Sequence, residues 1–464
     1  MRIYNTLTRN VEEFIPLEEG KVKLYTCGPT VYHYAHIGNI RNYIGHDILD
    51  KTLRMLGYDV YRAMNITDVG HLTSDSDSGE DKMEVARKRE HKSAMEIADF
   101  YTKAFFHDFG LVNCKMPEVV SPATANIDEY IKIIKVLLDK EYAYVSGGNV
   151  YFDISKLDDY YVLTNHQEDQ MVVGARESVE EDSNKRNQAD FALWFTTSKF
   201  ENHELLWDSP WGKGYPGWHI ECTGISIKYL GERLDIHGGG VDNIFPHHTN
   251  EIAQSESYLG HPWCHYWFHN EHLLDESGKM SKSKGAILTV SVLKEKGYDP
   301  LSFRFMCLGS HYRKQLIFSY EALDQAEATL KKLRNRVQSL TEDGEVQKDN
   351  YNDYFDKFKS ALSDDLNTSN ALTILYDVLK DDNVNGSTKI ALVKKFDEVF
   401  SLDLLKTDEV DAELVEYIEK KIEERKEAKK NKNFALADSI RDELASKGIV
   451  LLDTREGTKY QINK

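Results

Sequence analysis

The chain lacks any apolar run approaching the roughly 18 residues a membrane-spanning helix needs, so a membrane span is excluded. Its opening residues, Met-Arg-Ile-Tyr-Asn-Thr-Leu-Thr-Arg-Asn, contain no apolar leader stretch. Positive charge is in deficit: 58 Lys+Arg stand against 77 Asp+Glu, a net of −19. That balance argues against a general nucleic-acid coat, whose binding rests on neutralising phosphates. It leaves room for an RNA partner, which needs only a locally basic face. Cysteine is sparse and unpatterned. The five, at 27, 114, 222, 264 and 307, are odd in number and have no short spacings. This is no disulfide framework, and it fits a reducing, cytoplasmic setting. No internal repeat is evident.

What is present begins with size. The 464 residues predict about three domains, and 41% hydrophobic residues suffice for a real core. Val22–Thr26 reads as a strand running into a Cys-Gly-Pro turn. From Gly38, apolar residues recur with helical period to Leu56, and Gly57 provides a stop. Tyr58–Ile66 alternates as a second strand. Strand, helix and strand at this spacing make a βαβ unit and hence a parallel sheet. Ser74–Arg89 reads as a mobile loop passing into a helical stretch that continues to about Phe109, with another from Ala123 to Lys140. Segment 141–215 differs: it has Gly147-Gly148, a polar run over Glu177–Asn187, and short strands at Asn149–Ile154 and Phe191–Phe195. It is predicted to be an insertion. Ile220–Leu230 reads as helix and Arg233–Ile236 as a short strand entering His237-Gly238-Gly239-Gly240. Pro246–Leu259, Asp299–Leu308 and Tyr320–Leu340 read as helices, and beyond 340 the chain is charged and almost wholly helical.

Two motifs point to a nucleotide. Lys279-Met-Ser-Lys282-Ser puts two lysines around a serine in a polar loop, a grip for polyphosphate. His36-Ile-Gly38-Asn39 opens a helix, whose unpaired N–H groups and dipole suit an anion. Gly238–Gly240 follows a strand and precedes Asp242. Backbone without side chains there admits a ligand or simply makes a tight turn. His247 and Glu251 lie i and i+4 on a predicted helix, as two metal ligands or as an exposed pair. With Cys27 and Cys222 they form a sulfur, nitrogen and oxygen set typical of zinc; spacing alone does not bring the four together. Near the C-terminus, Arg425–Lys432 is a basic run followed by Phe434. Charge beside an aromatic ring suits an RNA loop, and equally a solvated helix with the ring in its core.

Taken together, these residues resemble the cysteinyl-tRNA synthetases, a family of class I aminoacyl-tRNA synthetases. The resemblance rests on Thr26-Cys-Gly-Pro-Thr-Val-Tyr32, Asn65-Ile-Thr-Asp68, Gly217-Trp-His-Ile-Glu-Cys222, Asp235-Ile-His-Gly-Gly-Gly240 and Phe245–Gln254. Lys185-Arg-Asn187 with Asp190-Phe191 adds to it, as do Lys432-Asn-Phe434, Ala437-Asp438, Arg441-Asp442, Gly448-Ile449 and Asp453-Thr454 near the end. It covers essentially the whole chain.

The resemblance implies an α/β fold. A Rossmann-like catalytic domain (1–140 and 216–270) carries an inserted domain (141–215). A stem-contact region with the lysine loop (271–335), a helical bundle (336–410) and an anticodon-binding tail (411–464) follow. It implies activation of L-cysteine by ATP with Mg²⁺, transfer to the 3′ end of tRNA(Cys), and a monomer. Cys27, Cys222, His247 and Glu251 match the ligands of one zinc ion, which binds the cysteine thiolate and selects against serine. Thr67 and Trp218, with Cys27 and His247, match the cysteine pocket. His36, Asn39, Lys279 and Lys282 match the catalytic signatures, and Gly38, Gly239, Gly240, Asp242 and Lys282 the nucleotide site. Lys429, Phe434, Asp438 and Asp453 match tail positions for the anticodon.

Two positions depart from the family pattern. Asn39 stands where histidine is usual, so this side chain cannot carry a proton or positive charge. Phe434 stands where tryptophan is frequent, and can stack but has no N–H to donate. Three other readings keep part of the motif set. One is a ligase that passes cysteine to a small amine; it would not need the tail. Another is a silent RNA-binding relative, which would need neither the ATP elements nor the zinc residues. The third is a zinc hydrolase, for which the His-Glu-x-x-His helix is missing.

Overall fold

The structure is a computed structural model, and it describes residues 1–69, 82–164, 182–196, 203–275, 278–279, 287–406, 412–447, 449–454 and 457–462. Among them, five strands form one parallel sheet in the order Cys264–Asn270, Leu234–Gly240, Lys21–Thr26, Asp59–Ile66, Val119–Pro122. Lys21–Thr26 is central. The chain first winds to one side of it through Asp59–Ile66 and Val119–Pro122, then returns on the other side through Leu234–Gly240. The C-terminal ends of Lys21–Thr26 and Leu234–Gly240 therefore flank the point where strand order reverses, the usual crevice for a ligand in such sheets.

The predicted helix after Cys27 runs from Ile37 to Met55. It buries Ile37, Ile40, Ile44, Ile48, Leu49 and Leu53, residues at helical spacing that join the largest apolar core. Residues 143–146, 149–152, 191–195 and 215–216 form a four-stranded antiparallel sheet between the helices Ile127–Asp139 and Trp218–Leu230. Among the described residues, antiparallel strands with two short 3-10 turns, Ile154–Lys156 and Val162–Thr164, interrupt the α/β alternation here, where the sequence pattern changed.

Two local expectations differ. The triple glycine is not a turn after the strand but its last three residues, Leu234–Gly240. An added Cβ would stand 2.9 Å from His46 Nε2 at Gly238 and 2.6 Å from His248 Cε1 at Gly239. The glycines thus let two histidine rings press on an extended strand. The end of the chain is not helical throughout: Ile449–Thr454 and Gly457–Ile462 pair as an antiparallel hairpin.

The chain divides into two units, Met1–Leu405 and Lys406–Lys464. Within the first, the helices Tyr320–Gln338, Lys348–Ser363, Thr368–Lys380 and Gly386–Phe400 pack together, with Phe358 stacked on Phe396 at 4.0 Å between centroids. The fully buried Arg304 guanidinium ties this bundle to the Ile37–Met55 helix. It donates to Asp47 Oδ2 at 2.6 Å, to the Phe400 carbonyl at 2.6 Å and to the Val112 carbonyl at 2.9 Å. Lys51 Nζ donates to Asp47 Oδ2 at 2.7 Å and to Ser401 Oγ at 2.8 Å. In the second unit, the helices Ala412–Lys430 and Phe434–Ser446 and the hairpin surround Ile418, Ile440, Leu444, Ile449 and Leu451. No described helix is long and apolar enough to cross a membrane.

Burial alone would raise the Asp47 carboxyl, but Arg304 and Lys51 outweigh it and hold the group below the usual carboxylate range. A depressed folded-state value stabilises fully above the unfolded value, near pH 4, and the contribution disappears as pH falls through the folded one. Asp47→Asn is therefore expected to cost about 3 kcal/mol near neutral pH, because it strands a buried guanidinium. The gap between parent and variant in urea unfolding should narrow steadily as the pH falls below about 4.

Candidate active site and metal centre

Cys27 follows the central strand directly, and its backbone N–H donates to the Gly238 carbonyl at 3.0 Å. Gly28 passes so close to the neighbouring strand that an added Cβ would lie 1.6 Å from the Asn65 carbonyl oxygen. Its N–H donates to Asn65 Oδ1 at 2.7 Å. This crossing fixes where the Cys27 sulfur stands.

Around that sulfur the chain gathers four buried ligand atoms from three separate places, His247 and Glu251 coming from one continuous stretch. Cys27, Cys222, His247 and Glu251 have donor atoms all within 4.8 Å of one another. The two sulfurs are 3.9 Å apart, Cys222 Sγ lies 3.4 Å from His247 Nε2, and His247 Nε2 lies 3.1 Å from Glu251 Oε1. Glu251 Oε1 is buried with no hydrogen-bond partner, while Oε2 accepts from His237 Nε2 at 2.9 Å. Two thiols, an imidazole and a carboxyl oxygen with an open lone pair suit zinc. Burial pushes the Cys27 and Cys222 thiols up, and it raises the Glu251 carboxyl to about 8 against the pull of His247. A divalent cation reverses each of these effects by favouring the ionised ligand.

A second overlapping set, Cys27, His237, His248 and Glu251, also satisfies the distance condition. The first set is the better site. It has two thiols instead of one. Its histidine also has a support: His247 Nδ1 is 2.8 Å from His219 Nδ1, as a metal-bound imidazole normally requires. His237 Nδ1 is buried without a partner. His248 is turned to other uses, with Nε2 3.2 Å from Cys27 Sγ and Nδ1 2.8 Å from His269 Nε2. Burial holds His237 and His269 down at about 3, and burial with the neighbouring histidines holds His248 well below the usual imidazole range, so these rings serve as neutral hydrogen-bonding groups.

A cavity of about 290 Å³ opens over Cys27 and extends to the first turn of the Ile37–Met55 helix. Cys27, His36, Gly38, Asn39, Trp218, Gly240 and Asp242 all line it. Part of each expected set thus meets in one space, while Cys222, His247 and Glu251 are buried and are not among its lining residues. Trp218 packs its ring 4.6 Å from that of His247. Thr67 and Gly239 are not among the described lining residues. Thr67 is buried, donating to Glu221 Oε2 at 2.9 Å and accepting from Asn65 Nδ2 at 3.0 Å.

Asn39 has a definite local task. His36 caps the helix: the Asn39 N–H donates to His36 Nδ1, and the His36 N–H donates to Asn39 Oδ1, both at 3.2 Å. The side-chain oxygen closes this capping box. Lys279 ends a two-residue strand, Gly278–Lys279, paired through Leu274 to Leu273–Asp275, and Leu273 lines the cavity. Lys282 lies outside the described residues.

In the second unit, Phe434 is 62% exposed and Asp438 is exposed on the same helix. Asp453 accepts from both Arg425 nitrogens at 2.8 and 3.0 Å and from Lys429 Nζ at 3.0 Å, which holds its carboxyl well below the usual range.

The residue-by-residue reading missed the supporting histidines His219, His237, His248 and His269, and the clash that makes Gly28 necessary. His219 and His237 sit inside the Gly217–Cys222 and Asp235–Gly240 motifs, where histidine beside a proposed ligand was the available signal.

Residues 13–328 match the family described as tRNA synthetases class I (C) catalytic domain, and residues 357–402 match the DALR domain. A cysteine–tRNA ligase from Treponema denticola is 46% identical over 99% of both chains, and one from Borreliella burgdorferi is 43% identical over 99% of both. Among solved structures, the Mycobacterium tuberculosis methionyl-tRNA synthetase in complex with methionyl-adenylate aligns with a TM-score of 0.56 at 14% identity. It covers 83% of this chain and 90% of that one. A ternary complex of Agrobacterium radiobacter LeuRS with tRNA and LeuAMS aligns with a TM-score of 0.58 at 11% identity, covering 84% of each. The last two establish the fold.

The two ligand sets make different demands on Cys222, which belongs only to the first. Cys222→Ala should reduce bound zinc, measured by elemental analysis after gel filtration, from about one per chain to a small fraction. Retention of near-stoichiometric zinc would assign the metal to His237 and His248 instead.

Proposed function

The chain belongs to the cysteine–tRNA ligase family of class I aminoacyl-tRNA synthetases, and on that premise we propose how its cleft carries the two-step reaction. In the first step a cysteine carboxylate oxygen attacks the α-phosphorus of ATP, forming cysteinyl-adenylate as pyrophosphate leaves. In the second, a hydroxyl of the terminal tRNA ribose attacks the adenylate carbonyl; the ester forms, its proton is lost and AMP departs.

The observation that supports this reading is the shared cavity, with Cys27 at one end and the His36-capped helix N-terminus at the other. One strand–turn–helix segment supplies both ends. The Ile37 N–H donates to the Leu288 carbonyl and the Asn39 N–H to His36, so what this helix end would offer the phosphates is its dipole and the Gly38 N–H. Little covalent help is needed for such a displacement, and positioning with charge stabilisation carries it. Lys279 and Lys282 would bring positive charge to the pyrophosphate, beside Mg²⁺. Asn39 would act through its amide while its oxygen holds the cap, a neutral role that needs no proton.

Cys27, Cys222, His247 and Glu251 would hold zinc. Bound there, zinc supplies a soft Lewis acid that prefers a substrate thiolate to a hydroxyl. An apolar pocket alone separates such near-isosteres only about 10–200-fold. His219 and His237 fix the orientation of His247 and Glu251 from behind, and Trp218 closes the pocket wall. Lys429, Phe434, Asp438 and Asp453 would meet the anticodon. For Asp453, its pairing with Arg425 and Lys429 gives it the further task of aligning those cations. The cysteine pattern and the family fit a monomer working in the cytoplasm.

Cysteine-dependent ATP–pyrophosphate exchange, followed by charging of tRNA against a small-amine acceptor, tests the function. Exchange with tRNA charging is expected; transfer to the amine alone would identify the small-molecule ligase. Lys282→Ala should lower single-turnover adenylate formation at least tenfold while changing cysteine affinity much less. An unchanged rate would remove that lysine from the mechanism.

A further inference from the structure

The second step requires the unpaired 3′ end of tRNA to enter the same cavity. One wall of the cavity ends in a cluster of aromatic rings. Tyr34 packs edge-on against Tyr101 at 5.0 Å and lies 6.0 Å from Phe100, which is 5.1 Å from Tyr101. His33 stacks on Tyr101 at 5.7 Å. Tyr34, His33 and Tyr101 line the cavity, and Phe100 continues the cluster outward. Tyr101 is buried, but Tyr34 and Phe100 are large rings left 39% and 41% exposed.

The cluster is held rigidly. Tyr101 donates its hydroxyl to Glu90 Oε1 at 2.5 Å, and Arg89 reaches both Tyr101 and the Tyr32 carbonyl. Ser93 and Glu96 close a capping box at the start of the helix Ala94–Leu111 that carries Phe100 and Tyr101. Positive charge accompanies the rings. Lys92 Nζ stands 4.8 Å over the Phe100 ring, and Lys88 and Arg89 are exposed on the adjoining helix Lys82–Glu90. In a chain of net charge −19, cations set beside exposed rings at the mouth of the catalytic cavity are a local reversal. Rings that stack bases and cations that track phosphates are the chemistry of single-stranded nucleic-acid binding.

We propose that Tyr34 and Phe100 form a stacking platform for the unpaired 3′-terminal nucleotides of tRNA, with Lys92 and Lys88 facing their phosphates. The inference rests on the synthetase reading and adds to it. The platform is a positioning device: it places the terminal ribose over the adenylate and takes no part in bond making. It differs from the anticodon contacts, which lie in the second unit. It also differs from the phosphate-binding helix end, which serves ATP.

The test compares the two steps in the same full-length protein. Tyr34→Ala and Phe100→Ala should each slow single-turnover transfer from preformed cysteinyl-adenylate to tRNA by about tenfold, the scale of one lost base stack. Cysteine-dependent pyrophosphate exchange should fall far less, so the transfer-to-exchange ratio drops about tenfold. Tyr34→Phe and Phe100→Tyr should restore most of the transfer rate. Lys92→Glu alters only a surface side chain; it should raise KM for tRNA several-fold and flatten the salt dependence of tRNA binding. An equal fall in both steps would assign the rings to ATP or to folding. No fall in either would leave the patch to another partner, and each of these results overturns the proposal. Absence of exchange in the parent protein would instead contradict the synthetase reading itself.

Discussion

The cleft depends on a problem of buried charge. Cys27, Cys222 and Glu251 are each pushed toward their neutral forms by burial, yet their donor atoms converge with His247 within 4.8 Å. Such a cluster is poorly explained as packing, since an apolar side chain would fill the space without leaving a buried carboxyl oxygen unpartnered. It is well explained as a cation site. The rest follows from where that site stands: at the end of the central strand, in the crevice where strand order reverses, at one end of a cavity whose other end is a helix N-terminus.

Several features that look like incidental sequence choices serve this placement. Gly28 lets the chain cross the Asn65 carbonyl, Gly238 and Gly239 admit His46 and His248 to the face of a strand, and His219 and His237 hold the ligands from behind. Arg304 and Asp47 then lock the helix that carries the phosphate end against the helical bundle. The proposed metal site and the helix N-terminus both draw on the thirteen-residue stretch from Cys27 to Asn39.

Much of this was legible in the sequence. The βαβ unit showed in the apolar period from Gly38 to Leu56 between two strand-like runs, because a helix facing a sheet must repeat its buried residues. Two short strands of segment 141–215, near Asn149 and at Phe191–Phe195, were also legible. The zinc set was legible only as an i, i+4 pair and two cysteines of the right chemistry, because convergence from three places depends on tertiary structure. Gly238–Gly240 was left open between close approach and a tight turn, because glycine marks close approach as readily as chain reversal; the strand end settles it against the turn. The terminal hairpin was hidden behind a long charged helical pattern, and its Ile-Val-Leu-Leu run is short enough to pass for either element. The capping role of Asn39 was also invisible, since it requires His36 in a particular rotamer.

The central claim is that the Cys27, Cys222, His247 and Glu251 site recognises the substrate sulfur as well as holding a metal. Its most direct measurement is the absorption spectrum of the Co²⁺-substituted protein titrated with cysteine and, separately, with serine. The account predicts that cysteine adds a further sulfur-to-metal charge-transfer band that saturates at one equivalent and that serine leaves the spectrum unchanged. An identical spectrum with and without cysteine, at concentrations that support adenylate formation, would contradict it.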